Sequence, residues 1–283
     1  MASPDLRDAC RMGEALAGEL VIDCHTHLGP WHNFHIPGPT AQDMVRTMDR
    51  LGVALSICSP HLAIGPDYRL GNREVMAAAE AFPGRITPYV TINPHYPAAE
   101  VGEEIGYWQA QGHLRAFKIH PSVHGYRADG PGYAPMFEFA DARGLPVLSH
   151  SWAGDGHCGP AILGTLAERY PRVTVIVAHA ASGWPMIEEA CTQAEAHANV
   201  FLDLTGSQLF CRALETMVER IGAERILFGT DLPFVDPRPG LGRVLMARIG
   251  DEDKRRILGL NAQALFGADV ARAHAPGGPA RGR

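Results

Sequence analysis

Short apolar, β-branched runs alternate along the chain with longer stretches of helical period, the pattern of βα units built around a parallel sheet. Eight such runs occur, at residues 20–27, 54–59, 86–93, 114–120, 146–151, 173–180, 200–206 and 226–232. Their starts lie roughly 26 to 34 residues apart, about one strand, one helix and two short loops. Eight units of similar length predict an α/β fold of the (β/α)8 TIM-barrel type, and no linker divides the chain. Between the runs, Thr40 reads as a helix N-cap with Gly52 as the stop, and Gly144 ends a second helical stretch. Residues 1–18 read as a short N-terminal extension, 19–270 as the barrel and 271–283, rich in Pro, Gly and Arg, as a frayed tail.

The polar residues sit where such a barrel would carry a site. The middle of a barrel strand is apolar, so titratable side chains at the C-terminal ends of several strands are costly unless they serve chemistry. The first run ends in His25 and His27, the fourth in Lys118 and His120, the fifth in His150, the sixth in His179 and the eighth in Asp231. His61 follows the second run and Asn93 ends the third, while the seventh carries Asp203 and Thr205. With a side-chain period of two, His25 and His27 project to one face with Cα atoms about 7 Å apart, close enough to converge on one ion. Taken alone, H-x-H equally describes two satisfied polar residues, and a lone His150 or His179 would more often be a buried, hydrogen-bonded side chain. Their recurrence on one face of successive parallel strands changes that reading. Imidazoles with a carboxylate form a ligand set for zinc or a similar divalent ion, with room for a reactive water.

Composition narrows the partners. A net charge of -6 lacks the basic footprint of nucleic-acid or anionic-membrane binding, so a small molecule is the expected partner. No apolar run approaches a membrane span and the N-terminus does not read as a secretory signal, so a cytoplasmic protein is expected. The six cysteines are scattered without a C-x-x-C pair and read as reduced thiols.

The stretches VIDCHTHLG, FKIHP, LSHS, VAHA, LFGTDLP and ILGLNAQALFG, in this order and spacing, resemble the amidohydrolase superfamily. The resemblance is to its amidohydrolase-related group, which also contains metal-dependent decarboxylases. It spans essentially the whole chain and implies a barrel with a catalytic divalent metal at its C-terminal mouth. Carried over position by position, His25, His27, His150 and Asp231 are implied as metal ligands and Asp231 also as proton acceptor. His179 is implied either to polarise substrate and move a proton or to bind a second ion. Lys118 is implied to bridge two ions when carboxylated, or to support the substrate at a one-metal site, and one metal is the preferred reading. Zinc is the expected ion, with manganese, iron and cobalt suited to nearly the same ligands. Barrels of this group often pair through their outer helices, which implies a homodimer.

A dication lowers the pKa of bound water toward ~7, so metal-activated attack on an amide, lactone or other ester is the first functional expectation. The alternative is non-oxidative decarboxylation of an aromatic or unsaturated acid, which calls for a cationic clamp. Arg69, Arg127, Arg212 and Arg238 lie in segments near strand ends and are candidates for it. A carboxylated Lys118 would instead suit phosphoester chemistry, and a barrel without catalysis would show a degraded ligand set, which this sequence does not. Loops after the strands should choose the substrate. Trp31, His120, Trp152 and His157 are expected to line the pocket, with His32, Phe34 and His35 beside Trp31 in the wall formed by residues 29–39. His120, two residues from Lys118, shares its strand face and either ligates or hydrogen-bonds a loop.

Overall fold

The computed structural model describes residues 6–267 except 17, 207 and 209, so the tail at 271–283 lies outside the described residues. Every apolar run contains a strand, and all pairings are parallel. The strands are β1 (Ile22–Leu28), β2 (Leu55–Pro60), β3 (Ile86–Pro88), β4 (Val90–Thr91), β5 (Phe117–Ile119), β6 (Val147–Ser149), β7 (Val175–Val177), β8 (Val200–Asp203) and β9 (Ile226–Leu227). They pair in chain order as two arcs, β1-β2-β3 and β4 through β9. The arcs meet at both ends. β3 and β4 are halves of the third predicted run, with Tyr89 N–H donating back to Cys58 O and Val90 N–H forward to Ala116 O. At the other seam Cys24 N–H donates to Phe228 O, Asp231 N–H to His25 O and His27 N–H to Leu232 O. Together the strands form the (β/α)8 barrel that the alternation of runs and helical stretches predicts.

The third strand splits because a helix takes over its edge. Asn72, on the helix Tyr68–Ala81, donates to Thr91 O at 2.9 Å and accepts from Thr91 N–H at 2.9 Å, replacing the ladder that β2 no longer supplies. The same amide donates to Glu104 Oε1, which also accepts from Trp108 Nε1 at 2.7 Å, so a buried carboxylate is held by neutral donors.

The core has two layers, as a filled barrel requires. Inside, Ile22, Cys24, Leu55, Ile57, Tyr89, Leu148, Ile176 and Leu227 interlock, and Phe266 from the C-terminal helix Asn261–Phe266 packs under Tyr89 at the end away from the mouth. Outside, larger aliphatic side chains fill the space between sheet and helices. Helix Ala41–Leu51 begins with the expected Thr40 cap, which forms a reciprocal capping box with Asp43, and ends at Gly52 with φ 77°. Gly144, at φ 65°, ends the helix Ala134–Arg143 in the same way. In the N-terminal segment the helix Leu6–Met12 buries Leu6, and Arg7 donates to Ala247 O beyond the helix Pro237–Met246.

Replacing Asn72 with alanine strands the Thr91 N–H, the Thr91 carbonyl and one partner of Glu104. We expect a loss of about 3 kcal/mol or more in urea unfolding, with no new exposed surface in the native state.

Candidate metal centre at the barrel mouth

A bulge in β1 aims the first-strand residues. Between Asp23 and Thr26 the pairing with β2 slips, so three steps on β1 match two on β2. Ile22 and Cys24 therefore belong to the barrel interior, while His25 and His27, one register later, face the cavity at the mouth. The cavity is 310 Å³, at the small end of ligand pockets. Its floor carries His25, His27, Lys118, His150, His179 and Asp231, and aromatic side chains form its walls.

Hydrogen bonds behind the floor fix the imidazole tautomers. His25 Nδ1 lies 2.6 Å from Asp203 Oδ2 and His27 Nδ1 lies 2.9 Å from the Ser59 carbonyl, so each ring donates through Nδ1. Both Nε2 atoms are then acceptors, and they stand 3.3 and 3.2 Å from a third acceptor, Asp231 Oδ1. Three lone-pair-bearing atoms turned on one another repel unless a cation lies between them. The ligating atoms of His25, His179 and Asp231 all fall within 4.8 Å of one another. The donor set and the carboxylate–histidine support behind it thus fit a divalent ion. Lys118 Nζ donates to His25 Nε2 at 2.8 Å and brings positive charge to this point.

Titration follows the same geometry. Burial and the Lys118 charge push His25 well down from the usual imidazole value. Burial alone would raise the Asp231 carboxyl, but His25 and His179 hold it well below the ordinary carboxylate range. Burial brings Lys118 down to about 8, against the pull of Asp231 and Asp203. Burial likewise takes His179 down to about 4, with Asp231 opposing the shift. His179 and Asp231 both adopt left-handed backbone, at φ 58° and 67°, a strain that tends to gather at functional sites.

The other expected residues are distributed as follows. His150 faces the His179 ring at 4.7 Å and stacks on His120 at 3.8 Å, outside the tightest donor group. His120 lines the cavity and also caps the short helix Pro121–His124 by accepting from Val123 N–H. Trp31, Phe34 and Trp152 are walls, whereas His32 and His35 of the same loop are not among the lining residues and border a shallow groove instead. His157 is not among the lining residues, because its ring turns to Asp155 and stays half exposed. The structure adds Asp203, which orients His25, and His61, which stacks on His27 at 4.7 Å and donates through Nδ1 to Gly29 O. It also adds Ile64, Phe234 and Val235 to the walls. Phe234 and Val235 follow the last strand directly, where a mouth loop must begin, and that position was their signal.

The sequence matches the amidohydrolase family over residues 22–268, and the chain belongs to that family of enzymes. It matches none of the curated proteins. Among solved structures it is similar to 5-carboxyvanillate decarboxylase from Sphingomonas paucimobilis, 18% identical over 88% of this chain and 99% of that one, with a TM-score of 0.68. It is also similar to an uncharacterized TIM-barrel protein from Bordetella bronchiseptica, 19% identical over 89% and 99%, TM-score 0.71. A dihydroxybenzoic acid decarboxylase from Polaromonas sp. JS666, solved with bound manganese, is 17% identical over 88% and 97%, TM-score 0.67. Among the described residues no helix is long and apolar enough to cross a membrane.

Two consequences are measurable. Asp203→Asn removes the anion behind His25, and we expect zinc affinity, read by competition with a chromogenic chelator, to fall about 10–100-fold. The buried Asp23 carboxyl is pushed up to about 8 by burial, with bonds from Thr230 and the His25 backbone opposing the shift. Its proton is held in the folded state and released near pH 4 in the unfolded chain, so it makes stability fall as pH rises from about 5 to 8, by about 1.4 kcal/mol per unit. Asp23→Asn should flatten that slope in pH-dependent denaturation, and an unchanged slope would contradict the assignment.

Proposed function

We propose that this enzyme is a divalent-metal-dependent, non-oxidative decarboxylase of an aromatic or unsaturated carboxylic acid. The observation that carries the reading is the cavity itself: an ammonium, a carboxylate and imidazoles on the floor, beneath flat apolar walls. Hydrolysis, the first expectation from the sequence, finds less support. Two of the similar structures are decarboxylases of ring acids, one of them with manganese. The walls also suit a flat ring better than a polar amide.

One ion would be held by His25, His27 and Asp231, and zinc or manganese suits these donors. The family resemblance implies His150, whose ring lies 4.7 Å from that of His179, as the further ligand. That would leave His179, although its ligating atom lies with those of His25 and Asp231, to face the substrate. When bound, such an ion supplies a Lewis acid that polarises substrate oxygens. Lys118 pairs its ammonium with the substrate carboxylate, and the aromatic walls fix the plane of the ring. His179 Nδ1 lies 3.8 Å from Asp231 Oδ2, beyond a hydrogen bond but close enough for the carboxylate to favour a protonated His179 ring. The low resting pKa of His179 keeps the ring neutral, and the arriving carboxylate adds negative charge that draws a proton onto it. That proton passes to the ring carbon bearing the carboxylate. The carbon–carbon bond to the carboxylate then breaks, its electron pair restores the unsaturated system, and carbon dioxide leaves. Exclusion of water by the walls favours the step, because the departing group sheds its charge.

The test is turnover of 2-hydroxybenzoate-type acids by metal-loaded protein in heavy water. We expect carbon dioxide in step with product and one deuterium at the vacated carbon. Asp231→Asn and His179→Ala should each lower kcat by about 10²–10⁴ while circular dichroism stays unchanged. Lactone or amide cleavage without carbon dioxide would return the protein to the hydrolase reading.

A further inference from the structure

A carboxylate buried in an apolar site needs a counter-cation, so, apart from an ion bound at the floor, the cations on a cavity wall count the anionic groups its ligand carries away from the floor. Among the described residues lining the cavity, Lys118 is the only lysine or arginine, and it lies on the floor. The four arginines that the sequence offers as a clamp are committed elsewhere. Arg69 pairs with Glu100, Arg127 with Asp129, Arg212 with Glu219 and Arg238 with Asp236. Arg243 lies behind the loop after β8 and its terminal N–H groups donate to the carbonyls of Leu204, Gly206 and Gln208, and it does not line the cavity. A neighbouring groove beyond Phe234 and Val235 holds Arg46, Arg50 and Arg238; Arg46 and Arg238 are paired with Asp43 and Asp236, Arg50 donates to the Arg46 carbonyl, and none of the three lines the cavity.

The upper walls are uncharged. Phe34 and Phe234 stack at 4.8 Å and 29°, joining the loop after β1 to the loop after the last strand. Trp31 leans on His61 at 5.0 Å, and Trp152 stands beside His179 at 6.2 Å. These faces form a slot for a flat body and offer no charge to its far end.

We propose that the substrate is a monoanion: one carboxylate, held at the Lys118 end, on a flat body whose far end carries no second acid group. The proposal rests on the decarboxylase reading only for the identity of the anion as a carboxylate. It singles out Phe34 and Phe234 as specificity-determining residues, because they occupy the place where a cation would have to stand to accept a second acid.

Calorimetric titration of the full-length, metal-loaded protein with 2-hydroxybenzoate and with 2-hydroxybenzene-1,3-dicarboxylate decides it. The monoacid should bind at least tenfold tighter. Phe234→Arg should narrow or reverse that ratio, and Phe234→Leu, apolar but not aromatic, should keep it. Equal or tighter binding of the diacid by the unaltered protein overturns the proposal, as does failure of both acids to bind at millimolar concentration. Because the readout is binding, a monoacid that binds without releasing carbon dioxide would count against the decarboxylase reading and leave the charge count standing.

Discussion

Everything at the mouth depends on the seam between β1 and the segment that follows β9. Asp23, buried beneath the site, accepts from the Thr230 backbone N–H at 3.1 Å and from its hydroxyl at 2.5 Å. One residue further on, Asp231 N–H binds the His25 carbonyl, and His27 N–H binds Leu232 O. These bonds weld the first strand to the last and hold Asp231 in a left-handed conformation that costs about 1–3 kcal/mol for a residue with a side chain. The strain is borne because the seam over-determines it. Without the seam, the carboxylate and the two Nε2 atoms would relax apart, since all three are acceptors.

That mutual repulsion explains the buried network behind the floor. A histidine offers a bare Nε2 to a cation only if something accepts its Nδ1 proton, and Asp203 and the Ser59 carbonyl do so. Asp203 is itself steadied by the N–H and hydroxyl of Thr205. The chain thus devotes residues from β1, β2, β8 and the last strand to a single point. The walls come from loops, so the chemistry at the floor and the choice of substrate are separable in the fold.

Much of this was legible in the sequence because it rests on periodicity and position. The eight apolar runs, the Thr40 cap and the Gly52 stop all follow from local rules, and polar residues at strand ends mark a mouth in any such barrel. The rest depends on contacts between distant segments. Period two puts His25 and His27 on one face, yet it cannot show the bulge that turns Cys24 inward as well. The split of the third strand required Asn72, nineteen residues earlier, to stand in for a ladder. His157 was drawn to the pocket by proximity to His150 in sequence, whereas Asp155 turns its ring aside. The four arginines read from the sequence only as candidates for a clamp, because acidic partners such as Glu100 and Glu219 are invisible until helices pack.

The grip of Arg243 on the loop after β8 has a consequence for how such a protein diversifies. Among the described residues it holds the loop by three backbone carbonyls, at Leu204, Gly206 and Gln208. Carbonyls are common to all residue types, so these three contacts place no demand on the identity of the residues they hold, and the path of the backbone at the mouth can be inherited while side chains such as that of Gln208 change.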